Sequence, residues 1–108
     1  MADRYAYKLL DAAEWREALA EGVFHGSAVD LADGYIHLST AAQLEETARK
    51  HFAGRTNLMR LTVDLEALGD AVVWEPSRGG ALFPHIYGPL PTTAVTEATP
   101  FQSSPSGG

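Results

Sequence analysis

Cysteine does not occur in this sequence. Its absence excludes disulfides, thiolate zinc sites and cysteine nucleophiles, so burial and hydrogen bonding must hold the fold. Basic residues are scarce as well: 8 Lys and Arg stand against 14 Asp and Glu, a formal charge of −6. Such a surface repels phosphate backbones, which argues against non-specific nucleic-acid binding but leaves room for one local pocket that takes a phosphate or nucleotide. No apolar run is long enough to span a bilayer, and the polar start Met1–Tyr5 has no hydrophobic segment behind it. Neither a membrane span nor a signal peptide is expected, and the location implied is the cytoplasm. Phosphate-binding glycine loops are missing too, and Gly26-Ser27 does not complete a nucleophile elbow. The histidines at 25, 37, 51 and 85 show no helical i, i+4 pair, so no metal site is expected.

What is present is ordinary globular material, 45% hydrophobic and 20% charged. A chain of this length buries about two-thirds of its unfolded surface, enough for one core. One domain is expected over residues 1–99, with a disordered tail over 100–108 that lacks apolar periodicity.

Tyr5–Leu10 reads as a first strand, and Asp11 with Glu14 three residues on marks a helix start. Ala12, Trp15, Ala18 and Leu19 fall on one face of that helix, and Gly22 ends it. Val23–Ser27 reads as a turn-rich linker. Tyr35–Ser39 is a strand whose alternation puts Ile36 and Leu38 on the core and Tyr35, His37 and Ser39 on the other side. Thr40 and Gln43 then open a second helix that carries Leu44, Ala48 and Phe52 on one face. Leu58–Leu65 and Ala71–Glu75 are strands separated by a turn at Glu66–Asp70, and Ser77–Gly80 is a loop. Leu82–Tyr87 is a strand that Pro84 should confine to an edge or a bulge, and Thr92–Thr99 is the last strand. Two main helices early and strands late give the class α+β.

Groups capable of chemistry gather in two stretches, Asp30–Thr40 and Phe83–Gly88. His37 and His85 lie on strand-like segments among aromatics, where a histidine can orient a ligand or move protons near neutral pH, or can sit half-buried against a backbone carbonyl. Glu75 ends an apolar strand, where a carboxylate needs a partner or a task; Arg78 in the following loop would serve as the partner. Asp30 and Asp33 read as turn formers, with ligand contact as the alternative. Phe83 and Tyr87 flank His85 as a stacking wall for a flat ring or as part of the core.

The order Tyr7-Lys8-Leu9-Leu10, Trp15, Gly22, Asp30-x-x-Asp33-Gly34-Tyr35-Ile36-His37-Leu38-Ser39, Gln43, Phe52, Trp74-Glu75 and Phe83-Pro84-His85-Ile86-Tyr87-Gly88 resembles the small bacterial DUF952 family. The resemblance implies an ADP-ribosyltransferase-like split β-sheet with two main helices. It also implies a cleft that binds or processes NAD, as substrate, or a related phosphorylated nucleotide; no other cofactor is required. The activity implied is that of a transferase or hydrolase. His37, Glu75 and His85 become the catalytic candidates, and Lys8, Asp30, Asp33, Tyr35, Ser39, Phe83 and Tyr87 the ligand-binding ones. By position, His37-Leu38-Ser39 corresponds to the second active-site strand of RNA 2′-phosphotransferases, and Tyr7-Lys8-Leu9-Leu10 falls where their first motif has His-Gly-Thr. Lys8 and Leu9 replace that His-Gly here, which favours the alternative of a non-catalytic binding module that kept the fold and lost the reaction.

Overall fold

A computed structural model describes residues 3–76 and 80–101. Strand β1 (Tyr5–Asp11) pairs antiparallel with β4 (Leu58–Asp64), and β4 with β8 (Val95–Phe101), to give one three-stranded sheet in the order β1-β4-β8. A second antiparallel sheet has the order β3-β6-β5, from β3 (Ile36–His37), β5 (Val72–Pro76) and β6 (Leu82–Ile86). Two short strands, β2 (Val23–Phe24) and β7 (Leu90–Pro91), form a two-residue ladder. A backbone bridge links the larger sheets: Tyr7 and Ser39 exchange hydrogen bonds of 2.8 and 2.9 Å. The class is α+β.

Alternation along β1 explains how its two faces are used. Ala6 and Leu10 enter the main core with Trp15, Ile36, Leu38, Leu61, Val63, Ile86 and Leu90. Leu9 and Tyr7 point the other way, towards Leu44 and Ala48 of a helix. Each fully buried aliphatic of this set contributes about 1.5–3 kcal/mol through the apolar surface it removes from water. Lys8 shares the main-core side with Ala6 and Leu10 and is itself buried. An ammonium there needs a counter-charge, and the second helix supplies it.

The two longest helices are α1 (Ala12–Glu21) and α3 (Ala41–His51), each opened by the expected residues. Glu14 accepts from the Asp11 N–H at 3.2 Å, and Gln43 and Thr40 exchange bonds of 3.0 and 3.2 Å. Gly22 closes α1 with φ +86°, the left-handed conformation that glycine adopts without cost. The turn expected at Glu66–Asp70 is one helical turn, α4 (Leu65–Leu68), followed by a 3-10 turn over Gly69–Ala71.

Several expectations need correction. The segment that follows Ser27, read as turn chemistry, contains helix α2 (Ala28–Asp33), with Ser27 as its N-cap. Leu19 is 55% exposed, because Trp15 and Ala18 make the core contact of α1. Most informatively, Pro84 lies on β6, the middle strand of its sheet rather than an edge. The Pro84 carbonyl accepts from the Leu38 N–H at 3.0 Å, so the N–H that proline lacks would have pointed to the same side. That side is covered by β3, which ends at His37, so the missing donor falls where the neighbouring strand has stopped. β8 runs on through Pro100 and Phe101, paired with Met59 and Leu58, two residues into the expected tail. The remainder of that tail, the residues 77–79 of the expected loop, and with them an Arg78 partner for Glu75, lie outside the described residues.

Candidate functional site

Helix α2 is short, and its ends are fixed by local chemistry. The Ser27 N–H donates to Asp30 Oδ2 at 2.9 Å, the reciprocal half of an N-terminal capping arrangement. Gly26 precedes it with φ +122°, and a Cβ there would come 2.9 Å from Asp30 Cβ. Gly34 ends the helix with φ +88°, and the Tyr35 N–H returns to the Asp30 carbonyl at 3.2 Å, which aims the chain into β3. Asp30 is therefore not a turn former on the surface. It is the buried hub of three elements, 1% exposed.

Its carboxylate is fully subscribed. Oδ2 faces Lys8 Nζ of β1 at 2.8 Å, and Oδ1 accepts from the His37 N–H at 3.1 Å and lies 2.6 Å from His37 Nδ1. Burial opposes the Asp30 charge, but the bonds from His37, Lys8 and Ser27 outweigh it and hold the carboxyl well below the usual carboxylate range. Burial likewise works against the charge on Lys8, and Asp30 is what retains it. The other ring nitrogen of His37, Nε2, lies 3.0 Å from Asp33 Oδ2 at the end of α2. His37 thus stands between two carboxylates, one at each ring nitrogen.

The β3–β6 register puts His37 directly opposite His85, with their rings 5.3 Å apart edge to face. Tyr35 lies flat on His85, with 4.1 Å between centroids and 14° between planes, and leans on His37 and Tyr87 at 4.6 and 5.3 Å. Glu75 on β5 stands opposite Phe83 and reaches diagonally to His85, whose Nδ1 is 2.7 Å from Glu75 Oε1. The same oxygen accepts from the Tyr87 hydroxyl at 2.8 Å. The hydrogen bonds from His85 and Tyr87 lower the Glu75 carboxyl, and the same bond raises the Tyr87 phenol. His85 is buried, yet its Nε2 takes no hydrogen bond from the described residues.

Two histidine–carboxylate pairs thus sit side by side on neighbouring strands, with Tyr35 between them and Tyr87 at the rim. Eight of the ten candidate residues belong to this construction. His37, His85, Tyr35 and Tyr87 form the ring face, Glu75 and Asp33 hold its two histidines, and Asp30 and Lys8 lie beneath. Two do not join it. Ser39 is buried with its hydroxyl 2.9 Å from Thr47 Oγ1 of α3, and Phe83 makes none of the ring contacts of the cluster. Among the described residues, no grouping of three His, Asp or Glu is disposed to hold a metal ion. No helix among them is long and apolar enough to cross a membrane. Sequence reasoning missed the mutual dependence of Lys8 and Asp30. The signals in view were the Ser27-x-x-Asp30 cap and a lysine in the core phase of β1.

The profile of a protein family of unknown function, DUF952, matches residues 9–98. The chain belongs to the DUF952 family. This DUF952 protein is similar to the solved structures of CC0527 from Caulobacter crescentus. A crystal structure of CC0527 is 53% identical, with a TM-score of 0.88 over 91% of this chain and 86% of that one. A solution NMR structure of the same protein is 50% identical, with a TM-score of 0.85 over 97% of this chain and 90% of that one. No curated protein matches this DUF952 chain.

Proposed function

We propose that the protein binds a small phosphorylated nucleotide, NAD or a relative of it, against the Tyr35–His37–His85–Tyr87 face, and that Glu75 and His85 move a proton there in a transfer or hydrolysis reaction. The observation that carries this is the Glu75–His85 pair. A carboxylate 2.7 Å from Nδ1 favours the tautomer with hydrogen on that nitrogen and leaves the lone pair on Nε2, where no described side chain takes it. That is the arrangement a general base requires. Tyr35, stacked on His85, and the half-exposed Tyr87 provide flat apolar surface for a base or a nicotinamide ring. His37, 33% exposed at its side chain, is set to contact a ribose or a phosphate.

An ADP-ribosyltransferase-like fold is part of the proposal and rests on family analogy. Two sheets joined through the Tyr7–Ser39 bridge accord with a split-sheet arrangement. Fit to NAD is mixed at the level of residues. The ring face suits a planar heterocycle, whereas Lys8, in place of the first-motif histidine, directs its ammonium to Asp30 beneath the site and offers nothing to a nicotinamide. The test is calorimetry with NAD, ADP-ribose and 2′-phosphorylated RNA ends, joined to chromatographic assay of turnover. Binding of one of them is expected, with turnover lost in His85→Ala and Glu75→Gln while binding persists. No heat and no turnover with any of the three would remove the proposal.

A non-catalytic binding module is favoured by one specific observation, the same diversion of Lys8 into the Asp30 pair. In that case a bound nucleotide is recovered chemically unchanged from wild type and from Glu75→Gln alike.

A further inference from the structure

Asp33 is an acid in an unfavourable place. It is the last residue of α2, the end of a helix where the unpaired carbonyls disfavour negative charge, and it is about half exposed. No hydrogen bond inside α2 explains its orientation. Its described partner is His37 Nε2, at 3.0 Å.

The two ring nitrogens of His37 are held differently. Nδ1 faces the buried Asp30, whose Oδ2 is turned to Lys8 and whose Oδ1 is turned to His37. Nε2 faces the half-exposed Asp33 instead. Glu75, the acid that holds the other histidine of the cluster, has its Oε1 committed to His85 and Tyr87. Asp33 is therefore the carboxylate that occupies Nε2, attached by one contact at the protein surface.

We infer that Asp33 is an internal stand-in for a ligand oxyanion: a phosphate oxygen of the bound molecule displaces the Asp33 carboxylate and takes the Nε2–H of His37. This rests on the proposed nucleotide site and assigns its anion-binding atom. It also makes Asp33 a competitor, so that the protein binds phosphate more weakly than it would without that carboxylate. The exchange replaces a carboxylate oxygen at Nε2 by a phosphate oxygen, and it requires only a rotation of an exposed side chain.

The experiment is titration of inorganic pyrophosphate, and separately of ADP-ribose, into the wild-type protein, Asp33→Asn and His37→Ala, followed by calorimetry and by the imidazole nitrogen resonances of His37. Asp33→Asn removes a half-exposed ion pair, so a gain of about three- to tenfold in pyrophosphate affinity is expected. Pyrophosphate should move the Nε2 resonance and leave Nδ1 in place, because Nδ1 stays on Asp30. His37→Ala should abolish binding. Unchanged or weakened affinity in Asp33→Asn, with its thermal melt intact, overturns the inference. So does a wild-type response at Nδ1 alone. The nucleotide proposal fails separately: tighter pyrophosphate binding in Asp33→Asn with no response to ADP-ribose supports the anion site and removes the nucleotide.

Discussion

Replacing Asp30 by Asn should cost this protein most of its stability, although the two side chains have nearly the same shape. The carboxylate is 1% exposed and the Lys8 ammonium it neutralises 6% exposed, so neither can turn to water when the other is lost. Removing one partner of a buried pair costs about 3–5 kcal/mol, because the remaining charge stays desolvated. A further cost is geometric. Asp30 accepts on both oxygens, from Lys8 and the Ser27 N–H on one and from the His37 N–H and ring on the other. Asparagine has one oxygen, so whichever way its amide turns, an NH₂ faces two donors, at about 1–3 kcal/mol more. Domains of this size are stable by about 5–15 kcal/mol, so the variant should sit at the edge of folding, with its melting temperature lower by about 20 °C or more. Lys8→Met removes the stranded cation and leaves Asp30 with His37. The double variant Lys8→Met/Asp30→Asn should therefore be more stable than the sum of the single losses predicts, by about 1–3 kcal/mol. Urea unfolding followed by Trp15 and Trp74 fluorescence gives all four corners of the cycle. An Asp30→Asn loss below about 1 kcal/mol, or strict additivity, would refute the assignment of Asp30 and Lys8 as a coupled buried pair.

Acid should act through the same group. The folded Asp30 carboxyl lies below its unfolded value of about 3.9, so its contribution is complete above roughly pH 4 and is lost as pH falls towards the folded value. The urea midpoint should fall below that pH in wild type, and the Asp30→Asn variant should lose part of that slope. Gly26→Ala meets both a left-handed φ and a 2.9 Å approach to Asp30 Cβ, and a loss of about 2–3 kcal/mol in urea unfolding is expected. Ser39→Ala should cost about 1 kcal/mol by deleting the buried bond to Thr47, and should leave any ligand affinity unchanged, because that hydroxyl faces α3 rather than the ring cluster.

Much of the fold was legible because local chemistry and periodicity agreed. Asp11 with Glu14, Thr40 with Gln43, and Gly22 mark α1 and α3, and alternation along Leu58–Asp64 finds β4. Where the two disagreed, the reading failed. Ala28–Asp33 is too short for an apolar stripe, and only its cap residues betray a helix. Pro84 on a middle strand is allowed by where β3 ends, a property of the neighbour and not of the segment that contains the proline. The site followed the same rule. His37 and His85 stand out as polar groups on short strands, and Glu75 as an acid at the end of an apolar one. Their pairing depends on strand register, and no local pattern around Lys8 points to Asp30, 22 positions away. The histidines also part company only in three dimensions. His37 has carboxylates at both ring nitrogens and His85 at one.

The most direct test of the account is a titration of the full chain with ADP-ribose, read by backbone and side-chain NMR. The account predicts saturable shifts at Tyr35, His37, His85 and Tyr87, with the His85 ring responding at Nε2. Saturable shifts confined to other surfaces, or none at millimolar ligand, would contradict it.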